Sequence, residues 1–95
     1  MGLIFEWDDD KAKQNVTRHG ITFQEAATVF VDPLSFTIED PLHSTEEDRF
    51  IIIGQSARQR LLVIVHTERD NRIRIISARV ATRHERESYE ESNSR

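Results

Sequence analysis

Three runs in the second half of the chain, 49–56, 61–67 and 72–78, are rich in β-branched and aliphatic residues, and only four residues separate each from the next. Connections that short join antiparallel neighbours, because a parallel crossover needs a dozen residues or more. The segment can therefore fold into little other than an antiparallel meander. Its middle run, Leu61-Leu62-Val63-Ile64-Val65-His66-Thr67, is apolar on both faces and belongs at the centre. The last run, Arg72-Ile73-Arg74-Ile75-Ile76-Ser77-Ala78, alternates, so one face is apolar and the other cationic. Arg69-Asp70-Asn71 makes the hairpin turn between them, with Asn71 suited to a left-handed conformation. Leu34 to Glu39 also alternates, as a half-buried strand does, and is followed by a polar loop from Asp40 to Asp48.

The first third has a different period. Leu3 to Trp7 reads as an edge strand or an extended lead-in, with Trp7 as an anchor. Asp8 offers an N-cap to a helix over about 9–18, which closes on Arg18, His19 and Gly20. Thr22 and Glu25 form a T-x-x-E capping box for a second helix carrying Phe23, Ala26, Ala27 and Phe30, ended by Asp32-Pro33. A third helix is expected over about 82–91, with 90–95 a frayed tail. The fold class is α+β, one domain over 1–95, with helices on one face of a three- to four-stranded meander and the other face free to bind.

Composition narrows the chemistry. There is no cysteine, which excludes disulfides, thiolate nucleophiles and thiolate zinc ligands. No His-x₃-His pair exists and the acids of 46–48 are sequential rather than convergent, so neither metal nor cofactor is expected. The N-terminus lacks a signal or anchor pattern, and a cytoplasmic location without membrane contact follows as the default. The net charge of −4 hides a strong polarity. Residues 1–48 hold eleven acids against three bases, a net of −8, whereas residues 49–95 hold six acids against ten arginines, a net of +4. Arginine matches phosphate oxygens with a planar fork that lysine lacks. Arg69, Arg72, Arg74, Arg79 and Arg83, joined by Arg49 if the meander brings its end alongside, are the candidate polyanion site, with RNA the expected ligand. The competing reading is that each arginine pairs with a surface carboxylate. Tyr89 and Phe50 are the only aromatics in this half, so binding by base stacking alone is weak.

Several blocks together resemble the BrnT family of toxins. They are Phe5-Glu6-Trp7-Asp8 with Lys11 and Asn15, Arg18-His19-Gly20-Ile21-Thr22-Phe23, Asp32-Pro33, His43-Ser44, His66-Thr67-Glu68-Arg69, Arg74-Ile75-Ile76-Ser77-Ala78-Arg79 and Ala81-Thr82-Arg83. The resemblance runs in order along nearly the whole chain. Asp9, Gln59 and Val80 depart from it, where proline, glycine and a basic residue are common. It implies a RelE-like fold and a metal-independent ribonuclease that arrests translation. It also implies a BrnA-type antitoxin with a ribbon-helix-helix domain, a heterotetramer with that partner, and operator DNA bound only through it.

Cleavage of RNA without a metal needs a base for the 2′-OH, an acid for the departing oxygen and cations for the charge on the phosphorane. Arg74 and Arg79 are expected to supply the last, with Arg49, Arg69, Arg72, Arg83, Lys11 and His19 as phosphate contacts. His43 is the candidate acid, since the acids around it favour its cation, and Glu47 is the candidate base. Each has a structural rival: His43 as a loop cap, Glu47 in a solvated acidic run, His19 as a helix C-cap, and Lys11 with Asn15 as a structural pair or an interface. His66 reads as a sheet residue and His84 as exposed. The alternative function is a non-catalytic module that binds nucleic acid or antitoxin and acts in operator autorepression. A metal-dependent nuclease is a third option.

Overall fold

The computed structural model describes residues 2–41 and 48–94. The elements follow in the order β1 (Ile4–Glu6), α1 (Asp9–His19), α2 (Phe23–Thr28), a 3-10 turn (Val29–Val31), β2 (Phe36–Glu39), β3 (Arg49–Gln55), β4 (Leu61–Arg69), β5 (Arg72–Val80) and α3 (Arg83–Ser92).

The helix ends follow their local chemistry. Asp8 accepts from the N–H of Asp10 at 2.9 Å, and Gly20, at φ 70°, donates to the carbonyl of Val16 at 2.8 Å. Thr22 caps α2 by accepting from the N–H of Glu25 at 3.0 Å, but the expected capping box is only half made. The Glu25 carboxylate turns instead to Ser56 Oγ at 2.7 Å and Arg60 Nε at 2.9 Å, tying α2 to the turn before β4. The complete box is at α3, where Thr82 accepts from the N–H of Glu85 and Glu85 accepts from the N–H of Thr82.

The sheet corrects the expected meander in two ways. It has five strands in the order β1-β5-β4-β3-β2, and it is mixed, because β1 runs parallel to β5 with Ile4, Phe5 and Glu6 opposite Arg72, Ile73 and Arg74. Sixty-five residues separate those two strands, far more than the roughly dozen that a parallel connection needs. Phe5, opposite Ile73, packs edge-on against Phe30 on the side that α1 and α2 cover. The helices also do not share one face. α1 and α2 cover Ile52, Leu62, Ile64, Ile73, Ile75 and Ala78, whereas α3 crosses to the other side and lays Tyr89 on Ile53, Leu61 and Val63. The doubly apolar β4 requires cover on both faces, so the second face is free only where no described element lies on it.

Two details of β5 place the site. Its pairing with β4 shifts between Val65 and His66, so that Val65 faces Ser77 and His66 faces Ile75, leaving Ile76 as an extra bulged residue. Arg74 and Arg79, an odd number apart, thereby keep to the same face. Beyond the reach of β1, the Asn15 side chain stands in for a strand: it accepts from the N–H of Ala78 at 3.0 Å and donates to the carbonyls of Ala78 at 2.9 Å and Ile21 at 2.8 Å. The hairpin turn uses Asp70, at φ 57°, rather than Asn71 as its left-handed residue.

Candidate nucleic-acid interface

Strand register sets one rung of side chains across four strands. Arg49 of β3 faces Thr67 of β4, Thr67 faces Arg74 of β5, and Arg74 faces Glu6 of β1. Paired residues project from the same side of a sheet. With strands ~4.8 Å apart, Arg49 and Arg74 flank the Thr67 hydroxyl about 10 Å from one another. The next rung sets Arg69 opposite Arg72. This is the face whose other end α3 covers.

The rungs border a cleft of about 640 Å³ lined by Glu6, Asp48, Thr67, Glu68, Arg69, Arg72 and Arg74. Of the acids lining it, Glu6 is the one whose contacts with the arginines are seen among the described residues. Its Oε1 accepts from Arg72 Nη1 at 3.1 Å, and its Oε2 lies 3.6 Å from Arg74 Nη1. Both arginines are half exposed, so these contacts are solvent-screened and exchangeable rather than fixed.

Arg79 and Arg83 are held differently. Arg79 lies on the same face, but its Nη1 and Nη2 donate to the two oxygens of Glu85, each at 2.8 Å. That fork, reinforced by the N–H of Thr82, holds the Glu85 carboxyl at about 2 and raises the Arg79 guanidinium. Arg83 is almost fully exposed and reaches Glu87 one turn along α3 at 3.4 Å. Lys11 and His19 line a separate, smaller cleft of about 160 Å³ with Arg18, between α1 and the bulged part of β5. The site residues expected from the sequence thus divide. Arg49, Arg69, Arg72 and Arg74 come together, Arg79 and Arg83 face α3 carboxylates, and Lys11 and His19 lie elsewhere. His43 and Glu47 fall outside the described residues, although Asp48, the residue after Glu47, lines the main cleft.

His66 is fully buried between Phe30, edge-on at 4.9 Å, and Phe50, stacked at 5.9 Å. Its Nε2 meets Glu68 Oε2 at 2.8 Å, and its Nδ1 has no hydrogen-bond partner among the described residues. It is a sheet residue, as its strand pattern suggests.

Glu6, Thr67 and Glu68 are cleft residues that sequence reasoning did not single out. The signal for Thr67 was its place at the polar end of an otherwise apolar strand. The signal for Glu6 depended on a parallel pairing that no local pattern carries. Among the described residues, no group of three His, Asp or Glu side chains is placed to hold a metal ion, and no helix is long and apolar enough to cross a membrane.

Comparison with known proteins adds to this geometry. Residues 7–85 match the family model described as the ribonuclease toxin BrnT of a type II toxin–antitoxin system. Among solved structures, the fold is similar to that of the Brucella abortus ribonuclease toxin BrnT, solved at 1.1 Å. The TM-score is 0.64 at 21% identity, covering 87% of this chain and 99% of that one. No curated protein matches in sequence.

Proposed function

The chain belongs to the BrnT family of type II toxin–antitoxin ribonuclease toxins, and from that premise we propose that RNA is held and cut on the rungs formed by Arg49, Thr67, Arg69, Arg72 and Arg74. The observation that carries this reading is the cross-strand register. Arg72 and Arg74, on the face that also carries Arg49 and Arg69, both contact the Glu6 carboxylate through solvent-screened pairs, and a polyanion can compete for guanidinium groups held that way. Arg74 and its neighbours stabilise the charge that develops as the 2′-oxygen attacks phosphorus and the 5′-oxygen departs, a reaction that needs no metal ion. His43 is the proposed acid and Glu47 the proton acceptor to which the sequence points, both outside the described residues. Arg79 and Arg83 stand at the margin of that face, where Glu85 and Glu87 engage them, and serve the site by fixing the start of α3 rather than by holding phosphate. Lys11 and His19 offer a phosphate contact remote from the reaction.

In this reading the toxin acts in the cytoplasm, arrests translation by cutting RNA, and adopts the RelE-like architecture implied by the resemblance. Its partner is a BrnA-type ribbon-helix-helix antitoxin, in a heterotetramer that touches operator DNA only through that partner. The acidic first half, at a net charge of −8, supports contact with a basic antitoxin segment. One observation favours the alternative of a binding module without catalysis: Arg72, Arg74, Arg79 and Arg83 each already face a carboxylate. Incubating purified protein with total RNA in EDTA separates the two. Degradation is expected. Intact RNA with a mobility shift would establish the binding module instead, and activity lost only in EDTA would indicate a metal-dependent nuclease.

A further inference from the structure

The cleft holds a carboxylate in the same rung as its cations, and we infer that Glu6 is the proton acceptor of the cleavage reaction, the role for which the sequence pointed to Glu47. The inference deepens the ribonuclease reading above and rests on it.

Position argues for Glu6 over Glu68 and Glu85. Strand register sets it directly beside Arg74, on the face that carries Arg72, Arg74, Thr67 and Arg49. Glu68 stands opposite Ile73, in the alternate set of positions, and its carboxylate is engaged by the buried His66. Glu85 is committed to both nitrogens of Arg79 under the N-terminus of α3. Glu6 makes one contact per oxygen, 3.1 Å to Arg72 and 3.6 Å to Arg74, and each carboxylate oxygen retains a second lone pair to receive a proton. Two guanidinium groups on alternate positions of one strand draw the carboxylate towards β5, through exposed contacts that substrate can rearrange.

The chemistry fits that placement. A phosphate bound over the Thr67 hydroxyl between Arg49 and Arg74 lies about two strand spacings, roughly 10 Å, from the Glu6 backbone. The glutamate side chain spans roughly half of that gap, one strand spacing, and the attacking ribose lies on the Glu6 side of the phosphate. Glu6 takes the 2′-OH proton as the 2′-oxygen forms its bond to phosphorus. The bond from phosphorus to the 5′-oxygen breaks with its electron pair, and the leaving oxygen takes a proton from solvent or from an acid at the rim. A 2′,3′-cyclic phosphate and a 5′-hydroxyl result, and Glu6 returns its proton to water. Arg74 serves both partners, as counter-charge to the carboxylate and as donor to the phosphorane.

The test is Glu6→Gln in the full chain, read by single-turnover cleavage of a short single-stranded RNA and by binding of a 2′-deoxy version of it. General-base removal lowers rates by roughly 10²–10⁴-fold. The expected result is a loss in that range with 2′-deoxy binding unchanged or tighter, because a negative charge beside two arginines has gone. Glu6→Asp should retain part of the rate and the acidic limb of the pH–rate profile, which Glu6→Gln should lose. That profile is read against the other charged groups around Glu6: Arg72 and Arg74 on β5, Arg69 and Glu68 on β4, and Asp48 before β3. Thermal melts should place both variants near the parent, since the altered contacts are exposed ones. Cleavage by Glu6→Gln within a few-fold of an active parent overturns the assignment. So does a parallel loss of cleavage and binding, which would mean that Glu6 only arranges the arginines. A parent that leaves RNA intact overturns the ribonuclease reading itself, and this assignment with it.

Discussion

Asn15 shows how much one side chain can determine at the scale of a residue. Its amide completes the edge of β5 at Ala78 and closes the turn at Ile21, three hydrogen bonds from a side chain that is almost fully buried. Asn15→Ala would leave an N–H and two carbonyls unsatisfied inside the fold, and the expected loss is about 2–4 kcal/mol. Such a loss is a large fraction of the marginal stability of a small domain. Urea unfolding followed by circular dichroism checks it. Asn15→Asp should be worse than Ala, because it keeps the acceptor for Ala78 N–H but sets a carboxylate against two carbonyl oxygens. If Ala matches the parent midpoint, the strand-edge role is wrong. The sequence offered the Lys11–Asn15 spacing as a structural pair or an interface, and only the burial of Asn15 separates the two. Residue-scale legibility was otherwise good where local chemistry decides, as at Asp8 and Gly20. It was poorer in turns: the left-handed position went to Asp70, and Gln59, at φ 64°, holds a conformation that glycine adopts more readily.

Among the elements, α3 is the one whose docking most depends on ionisation. Glu85 carries the capping box and the fork to Arg79, and these hold its carboxyl at about 2 instead of the usual 4.5. A depressed carboxyl contributes stability above its unfolded value, and that contribution disappears as pH falls through the folded one. The stability conferred by Glu85 should therefore be complete near neutrality and fade between about pH 4.5 and 2. Glu85→Gln should melt several degrees lower than the parent at pH 7, taking ~4–8 °C per kcal/mol for a domain of this size, and the gap should close by pH 2–3. Melts across that range check the sign, and a gap independent of pH would assign the effect to packing. Tyr89 anchors the same helix by donating to Asp32 Oδ2 at 2.8 Å, with its phenol pushed up to about 12 by burial and that carboxylate. The strands and helices were legible because hydrophobic period is local. The side of the sheet that α3 occupies and the parallel docking of β1 were not, because both depend on pairings distant in sequence. The doubly apolar β4 nevertheless implied that both faces need cover.

At the scale of the whole molecule, a net-acidic chain binds a polyanion only if its charges are segregated in space as well as in sequence. The sheet achieves this by bringing four arginines from three strands to one end of one face, while α3 and its glutamates occupy the other end. On the proposed site, fewer cations would contact phosphate than the chain contains, and salt dependence can count them. For single-stranded nucleic acid, log K falls against log salt with a slope near −0.7 for each phosphate contact. The double variant Arg72→Ala/Arg74→Ala should bind a single-stranded RNA more weakly and with a slope shallower by about 1.4. Arg79→Ala should instead lower the melting temperature and leave the slope nearly unchanged, since its guanidinium is directed to Glu85. Fluorescence titrations between 50 and 300 mM salt (roughly the range over which such affinities are measurable) separate the two behaviours. A double variant that weakens without any change of slope would mean that Arg72 and Arg74 only position Glu6. A slope change in Arg79→Ala equal to one lost contact would mean that RNA displaces Glu85 and extends the interface along β5 to the start of α3.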